Sequence, residues 1–236
     1  MNLQNDLLKL INVSKSYVSE TETVTPLKDI NMDVYEGQFI AIVGRSGSGK
    51  TTLLNVMAGL DKPTSGEVLL HGADIALMNE HALTEVRRTK IGFIFQSFGL
   101  LPLLSAFENV ELPLRISGMG HSERSEKTNN ALDMVGLLPR SNHRPYELSG
   151  GEQQRVSIAR AIVGNPPLIL ADEPTGELDS NNAKSIFGLF KDMVINQGMT
   201  IIAATHDSSL LSMADQVKEI KDGTLYSAST SELRYR

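Results

Sequence analysis

The 236-residue sequence contains no cysteine, which removes disulfide staples, thiolate zinc sites and cysteine nucleophiles together. It also lacks a long apolar run. Segments such as Leu168-Ile-Leu-Ala171 and Ile201-Ile-Ala-Ala204 fall far short of the roughly 18 residues that a bilayer-crossing helix needs. Basic charge is not in excess. With 22 Lys and Arg against 28 Asp and Glu, a net −6, a broad basic surface made for wrapping nucleic acid is not expected, and no nucleic-acid partner is assigned. Any anion site must then be local. The first residues, Met1-Asn-Leu-Gln-Asn-Asp6, have neither the basic flank nor the apolar stretch of a secretory signal, and the chain is expected to stay in the cytoplasm. Internal repeats, low-complexity tracts and linkers are absent as well. What is present is an ordinary globular composition, 41% hydrophobic and 21% charged, enough to bury one large core or two small ones.

Apolar residues alternate in Leu8-Lys-Leu-Ile-Asn-Val13 and Ile30-Asn-Met-Asp-Val34, which predicts strands with one buried face. After the turn Glu36-Gly37, the run Phe39-Ile-Ala-Ile-Val43 is apolar throughout and fits the middle of a sheet covered on both sides. Further strands are expected at Glu67–Leu70, Ile91–Phe95, Leu168–Ala171, Thr200–Ala204 and Val217–Ile220, and a helix from Lys50 to about Gly59. Between about Ser97 and Gly164 the pattern turns helical, broken at Pro113, Gly118, Gly136 and Pro139, as a helical subdomain inserted into an α/β core would be. Ala183, Ile186, Phe187, Phe190, Met193 and Val194 recur at helical spacing, with Gly198 as the stop, and read as core packing.

The strongest chemical signal follows the all-apolar strand. Gly44, Arg45, Ser46, Gly47, Ser48, Gly49, Lys50 and Thr51 match G-x-x-x-x-G-K-[ST] between a strand and a helix, the context this phosphate loop requires. Glycines let successive backbone N–H groups converge on phosphate oxygens, the helix N-terminus adds favourable partial charge, and Lys50 is placed for the β- and γ-phosphates. Thr51 is then a Mg²⁺ ligand, and Thr52 adjoins it in the nucleotide site. A nicotinamide-type fingerprint fails on spacing, since these glycines run G-x-x-G-x-G.

A second element, Leu168-Ile-Leu-Ala-Asp172-Glu173, delivers two acids to the C-terminal end of an apolar strand, the edge where open α/β sheets bind ligands. Asp172 is expected to hold Mg²⁺ through water, and Glu173 to orient or deprotonate the attacking water. Alone, such a pair would be a solvated turn; beside a phosphate loop it reads as hydrolytic.

Between these elements stand Leu148, Ser149, Gly150, Gly151 and Glu152, followed by Gln153-Gln-Arg-Val-Ser-Ile-Ala-Arg160. Here the sequence resembles the signature segment of ATP-binding-cassette ATPases, and the resemblance extends over essentially the whole chain. It implies a P-loop NTPase core of RecA type with an antiparallel β subdomain and an inserted helical subdomain over about 97–164, forming a single domain of residues 1–236. By the same resemblance Tyr17 stacks on adenine, Gln96 is the Q-loop glutamine that reaches metal and attacking water, Leu178-Asp179 is the D-loop, and His206 contacts the γ-phosphate. It also implies that two cassettes pack head to tail around ATP and Mg²⁺, so that Ser149, Gly150, Gly151 and Glu152 of one face the phosphate held by Lys50 of the other. Physically, a Ser-Gly-Gly turn before a helix offers hydroxyl and backbone donors to an anion, although Ser149 alone would be only a helix cap.

Within the family, Phe95-Gln-Ser-Phe-Gly-Leu-Leu-Pro102, Glu108-Asn-Val110, Gly59-Leu-Asp-Lys-Pro-Thr-Ser-Gly66 and Ala171-Asp-Glu-Pro-Thr-Gly176 are similar to the branch of macrolide exporters, lipoprotein-release ATPases and antimicrobial-peptide resistance transporters. Glu177 departs from the Asn usual there, and Glu152 from the commoner signature Gln. The resemblance implies an integral-membrane permease partner, a position at the cytoplasmic face of the membrane, and export of a drug, peptide or lipoprotein. A cassette driving a mechanical or signalling membrane complex would carry the same motifs. A soluble, non-transporting cassette is the remaining alternative, disfavoured by the absence of a second cassette or a long coiled-coil insertion.

Overall fold

A computed structural model describes residues 6–228; the N-terminal residues before Asp6, examined above for a targeting signal, lie outside the described residues. The chain opens with β1 (Asp6–Val18) and β2 (Thr23–Tyr35), then β3 (Phe39–Val43), α1 (Lys50–Met57), β4 (Ser65–Leu70) and β5 (Ala73–Asp74). It continues through α2 (Glu80–Thr89), β6 (Ile91–Ile94), α3 (Ala106–Ile116), α4 (His121–Met134) and α5 (Gly150–Ile162). It closes with β7 (Leu168–Asp172), α6 (Ser180–Gln197), β8 (Thr200–Thr205), β9 (Gln216–Lys221) and β10 (Thr224–Ala228).

Two sheets result. The first has the order β2-β1-β4-β5 and the second β10-β9-β3-β8-β7-β6. The first is antiparallel at every pairing, whereas the second is parallel from β9 to β6 with β10 antiparallel at its edge. The all-apolar strands are apolar because both faces of the parallel sheet are covered. Ile169, Ala171, Ile201 and Ala203 join Phe39 and the apolar faces of α3 to α6 in one core. Their neighbours Leu168, Leu170, Ile202 and Ala204 point the other way, into a core shared with α1 and the antiparallel sheet. Every residue of the predicted helical stripe, from Ala183 to Val194, is buried in α6, and Gly198 ends that helix in the left-handed region at φ 66°.

Some boundaries differ from the sequence reading. β1 and β2 run well beyond the alternating segments, so Tyr17 lies within β1 and not after it. Their outer halves carry polar residues facing solvent, and the register shifts repeatedly between Leu10 and Tyr17, with Asn12 at φ 49° and Asp29 at φ 48°. Such bulges erase the two-residue period. α1 stops at Met57, two residues before the expected end, because Gly59 turns left-handed at φ 61°. β5, β10 and α2 were not anticipated as elements. α2 buries only Leu83 and is set by the Asn79 cap, whose side chain accepts from the Ala82 N–H.

Candidate active site

The parallel strands converge on one edge, and their C-terminal ends carry most of the predicted residues. β3 leads into the loop Gly44–Gly49, and Gly49, at φ 107°, caps α1. A Cβ there would come within 2.5 Å of the Pro26 carbonyl oxygen, so both conformation and space demand glycine. At Gly44 a Cβ would meet Ser48 Oγ at 2.5 Å. Arg45, Ser46 and Gly47 form the exposed crest of this loop. Lys50, only 5% exposed, folds back beneath it and donates from Nζ to the carbonyl oxygens of Gly44 at 2.8 Å and Arg45 at 3.2 Å.

β7 ends at Asp172, and Glu173 takes a left-handed turn at φ 44°. This is a costly conformation for any residue that carries a Cβ, pinned by the Glu173 N–H to the Ala204 carbonyl at 3.0 Å. The turn swings the two acids apart. Glu173 Oε1 lies 3.4 Å from Lys50 Nζ, and Oε2 lies 3.0 Å from His206 Nδ1, which follows β8 directly. Lysine, carboxylate and imidazole therefore form one chain of contacts across three strand ends.

Asp172 faces the other way, 8% exposed. Burial pushes its carboxyl above the usual range, the Thr51 side chain draws it back, Glu173 raises it and Lys50 lowers it. Its Oδ1 and the Ser48 Oγ are buried without a hydrogen-bond partner among the described residues. Orphaned buried polar atoms call for an explanation, and both stand where a ligand with phosphate oxygens and a hard cation would satisfy them. No cluster of three or more His, Asp or Glu able to hold a metal by itself exists among the described residues. The donor set Thr51 with Asp172 fits a cation that takes its other ligands from phosphate and water.

Gln96 follows β6 in exposed backbone, and its Nε2 is 3.4 Å from the position a Gly176 Cβ would occupy, on the Glu173 side of the site. Thr52 lies one residue into α1 beyond Thr51, and its side chain partly offsets the rise that burial and Asp61 impose on the Tyr17 hydroxyl.

The signature segment begins α5. Ser149 caps α5 in a reciprocal box with Glu152: Ser149 Oγ accepts from the Glu152 N–H at 3.3 Å, and Glu152 Oε2 accepts from the Ser149 N–H at 2.8 Å. Asp179 caps α6, accepting from the N–H groups of Asn181 and Asn182 at 3.0 Å each. The two caps adjoin, since a Cβ on Gly151 would meet Asn182 Oδ1 at 2.8 Å. Among the described residues, no hydrogen bond or ion pair joins Ser149, Gly150, Gly151, Glu152 or Asp179 to the Gly44–Thr52 segment. The structure thus gathers Lys50, Thr51, Gln96, Asp172, Glu173 and His206 at one edge, and leaves the signature and D-loop residues without a bond to the phosphate loop among the described residues.

Sequence reasoning passed over three contributors. Asp61 and Lys15 hold Tyr17, and Arg160 donates to the carbonyl oxygens of Phe98 at 2.9 Å and Gly99 at 2.6 Å, fixing the loop after Gln96. Asp61 and Arg160 both fell inside quoted motifs, but their partners are distant in sequence.

A glycine loop at the end of a central parallel strand, a buried lysine beneath it and two divergent acids on a neighbouring strand define a P-loop nucleotide-hydrolysing cassette. The family model for ABC transporters matches residues 27–176. An uncharacterised ATP-binding protein of Methanocaldococcus jannaschii, MJ0796, is 46% identical over 221 residues, covering 92% of this chain and 94% of that one. The macrolide export ATP-binding/permease protein MacB of Vibrio parahaemolyticus is 45% identical over 219 residues, covering 93% of this chain but only 33% of its own length. A solved dimeric structure of the MJ0796 cassette in a post-hydrolysis state, bound to ADP and phosphate, aligns with a TM-score of 0.87 at 43% identity, over 95% of this chain and 99% of that one. The chain belongs to the ABC transporter family and is one of its ATPase cassettes.

Proposed function

We propose that this cassette hydrolyses ATP with Mg²⁺ at sites completed by a second copy of itself, and that closure of the two copies drives an integral-membrane permease in export. The observation that carries the reading is that the two sets of residues share no bond: Lys50 pairs with Glu173 beside Asp172, whereas Ser149 is bonded to Glu152 at the start of α5 with Gly150 and Gly151. A head-to-tail pair would bring both to the same phosphate. The dimeric MJ0796 structure supports that pairing, and MacB, whose name joins ATP-binding and permease parts, supports the membrane partner.

In this reading the residues 1–236 act as one domain, with the helical insertion of about 97–164 meeting the permease at the cytoplasmic face of the membrane. The Gly44–Gly49 amides, Ser48 and Lys50 hold the phosphates, Thr51 and Asp172 hold Mg²⁺ with Gln96 beside them, and Tyr17 takes the base. The bound cation supplies charge neutralisation on the phosphates. Phosphate arriving at Lys50 competes with Glu173 for the ammonium, and the released carboxylate is then placed to accept a proton from water. His206, bonded to Glu173, orients that carboxylate and lies within reach of the same phosphate. Ser149 and the N-terminal amides of α5 provide the partner's anion-binding face, with Asp179 holding the adjoining loop.

Capture of the tagged Glu173→Gln chain from native membranes with ATP and Mg²⁺, followed by mass spectrometry, tests the membrane assignment. A co-purifying integral-membrane permease is the expected result. Recovery of soluble partners alone would contradict it and favour a non-transporting cassette.

A further inference from the structure

Tyr17 is not a free aromatic at a strand end. Its hydroxyl donates to Asp61 Oδ2 at 2.6 Å, and the other carboxylate oxygen, Oδ1, accepts from Lys15 Nζ, also at 2.6 Å. Lys15 lies two residues before Tyr17 on β1, on the same side of the strand. Its ammonium sits 4.8 Å from the Tyr17 ring centroid, in the geometry of a cation–π contact. A further bond from Lys15 Nζ to the Lys62 carbonyl at 2.7 Å fixes the lysine from a third direction.

Asp61 is itself anchored to the phosphate-loop helix. The backbone N–H groups of Leu60 and Asp61 both donate to the Asn55 carbonyl in α1, at 2.9 and 3.2 Å. The loop that follows is stitched to β1 by Thr64 N–H to the Ser14 carbonyl at 2.8 Å and Ser16 N–H to Thr64 Oγ1 at 2.9 Å. The helix that begins at Lys50 therefore carries, just past its far end, the carboxylate that holds the tyrosine. Burial alone would raise the Asp61 carboxyl, but the Lys15 and Tyr17 hydrogen bonds outweigh it and hold the group below the usual carboxylate range.

We infer that Lys15 and Asp61 are positioning residues that clamp the Tyr17 ring, one face under the Lys15 ammonium, so that its open face receives the purine base of a nucleoside triphosphate seated on the Gly44–Thr51 loop. The inference rests on the proposed role of Tyr17 as the base-stacking residue. Tyr17 is 45% exposed, so without the clamp its ring would sample several rotamers and lose that freedom on stacking. Ordering it beforehand spares the nucleotide this loss, about three- to tenfold in affinity for one immobilised side chain. Because the clamp acts on the base end alone, its removal must spare a ligand that has phosphates and no base.

The test is calorimetric titration of the full chain, without Mg²⁺, with ATP and separately with inorganic tripolyphosphate. Asp61→Asn, Lys15→Met and Tyr17→Phe, the last removing only the hydroxyl and so the least able to disturb folding, are each expected to weaken ATP about three- to tenfold while leaving tripolyphosphate within about twofold. Combined with Tyr17→Ala, Asp61→Asn should add no further loss. If Tyr17→Ala weakens ATP but Tyr17→Phe and Lys15→Met do not, the clamp is wrong and the base-stacking role stands. If Tyr17→Ala leaves ATP binding unchanged, the base-stacking role fails and takes the clamp with it. Equal weakening of ATP and tripolyphosphate by Asp61→Asn and Lys15→Met would place their effect on the phosphate loop and overturn the inference.

Discussion

Lys50 and Glu173 face each other at 3.4 Å with little solvent between them, the lysine 5% and the glutamate 19% exposed at the side chain. A pair so placed gives the two residues opposite mutational signatures. Glu173→Gln preserves shape and leaves Lys50 bonded to Gly44 and Arg45, so ATP binding is expected to persist while turnover falls about 10²- to 10⁴-fold, the range for loss of a general base. Single-turnover kinetics with binding measured separately checks this; unchanged turnover would remove Glu173 from the base role. Lys50→Ala acts earlier. It removes a charged donor to phosphate worth about 1.5–3 kcal/mol, and ATP affinity should drop about ten- to a hundredfold, read by equilibrium titration. The phosphate loop and the paired acids were legible because their chemistry depends on residues close in sequence. What held Glu173 between Lys50 and His206 was not, since that requires the left-handed turn at φ 44° and three strands brought side by side.

The elements show the same division. β3, β7 and β8 could be read from continuous apolar runs because both sheet faces are covered, and α6 from its periodic stripe. β1 and β2 were only half legible, since bulges at Asn12 and Asp29 break the alternation that identifies a strand. α2 has one buried residue, too few to leave a periodic signal. Within α6, Phe187 is fully buried, with ring centroids 5.6 Å from Phe39 and 5.9 Å from Phe190. Phe187→Ala should cost about 3–5 kcal/mol of folding stability, measured by urea denaturation; a loss below about 1 kcal/mol would show that the cluster collapses to fill the space.

The cap of α5 makes a pH-dependent prediction. The Glu152 carboxyl is held below its usual range, first by the Ser149 N–H and then by the Ser149 hydroxyl, with Arg140 and His143 adding to it. A folded-state value below the unfolded one contributes stability that is complete above about pH 4.3 and disappears as pH falls through the lower folded value. Glu152→Gln removes that titration. The wild-type chain should therefore lose more stability than Glu152→Gln between about pH 5 and pH 3, in denaturation midpoints taken at each pH. Identical losses would mean the reciprocal cap does not form in solution.

At the scale of the whole molecule, the two glycines of the signature differ in a way that points outward from the chain. Gly151 is explained internally, because a Cβ would press on Asn182 Oδ1 at 2.8 Å, whereas a Cβ on Gly150 would meet Leu178 and Phe98 at an ordinary 3.8 Å. Among the described residues nothing crowds a Cβ at Gly150; in the proposed pairing, a phosphate held by another copy would. Gly150→Asp is thus expected to fold like wild type and to fail only in association. No helix among the described residues is long and apolar enough to cross a membrane, and the proposed coupling to a permease is therefore tested first at the pairing of two cassettes. The most direct measurement is the molar mass of the Glu173→Gln chain by light scattering with and without ATP and Mg²⁺. The account predicts a monomer that doubles its mass with nucleotide, and no doubling when Gly150→Asp is added. A chain that remains monomeric with ATP bound, or one that doubles regardless of Gly150→Asp, would contradict the shared site.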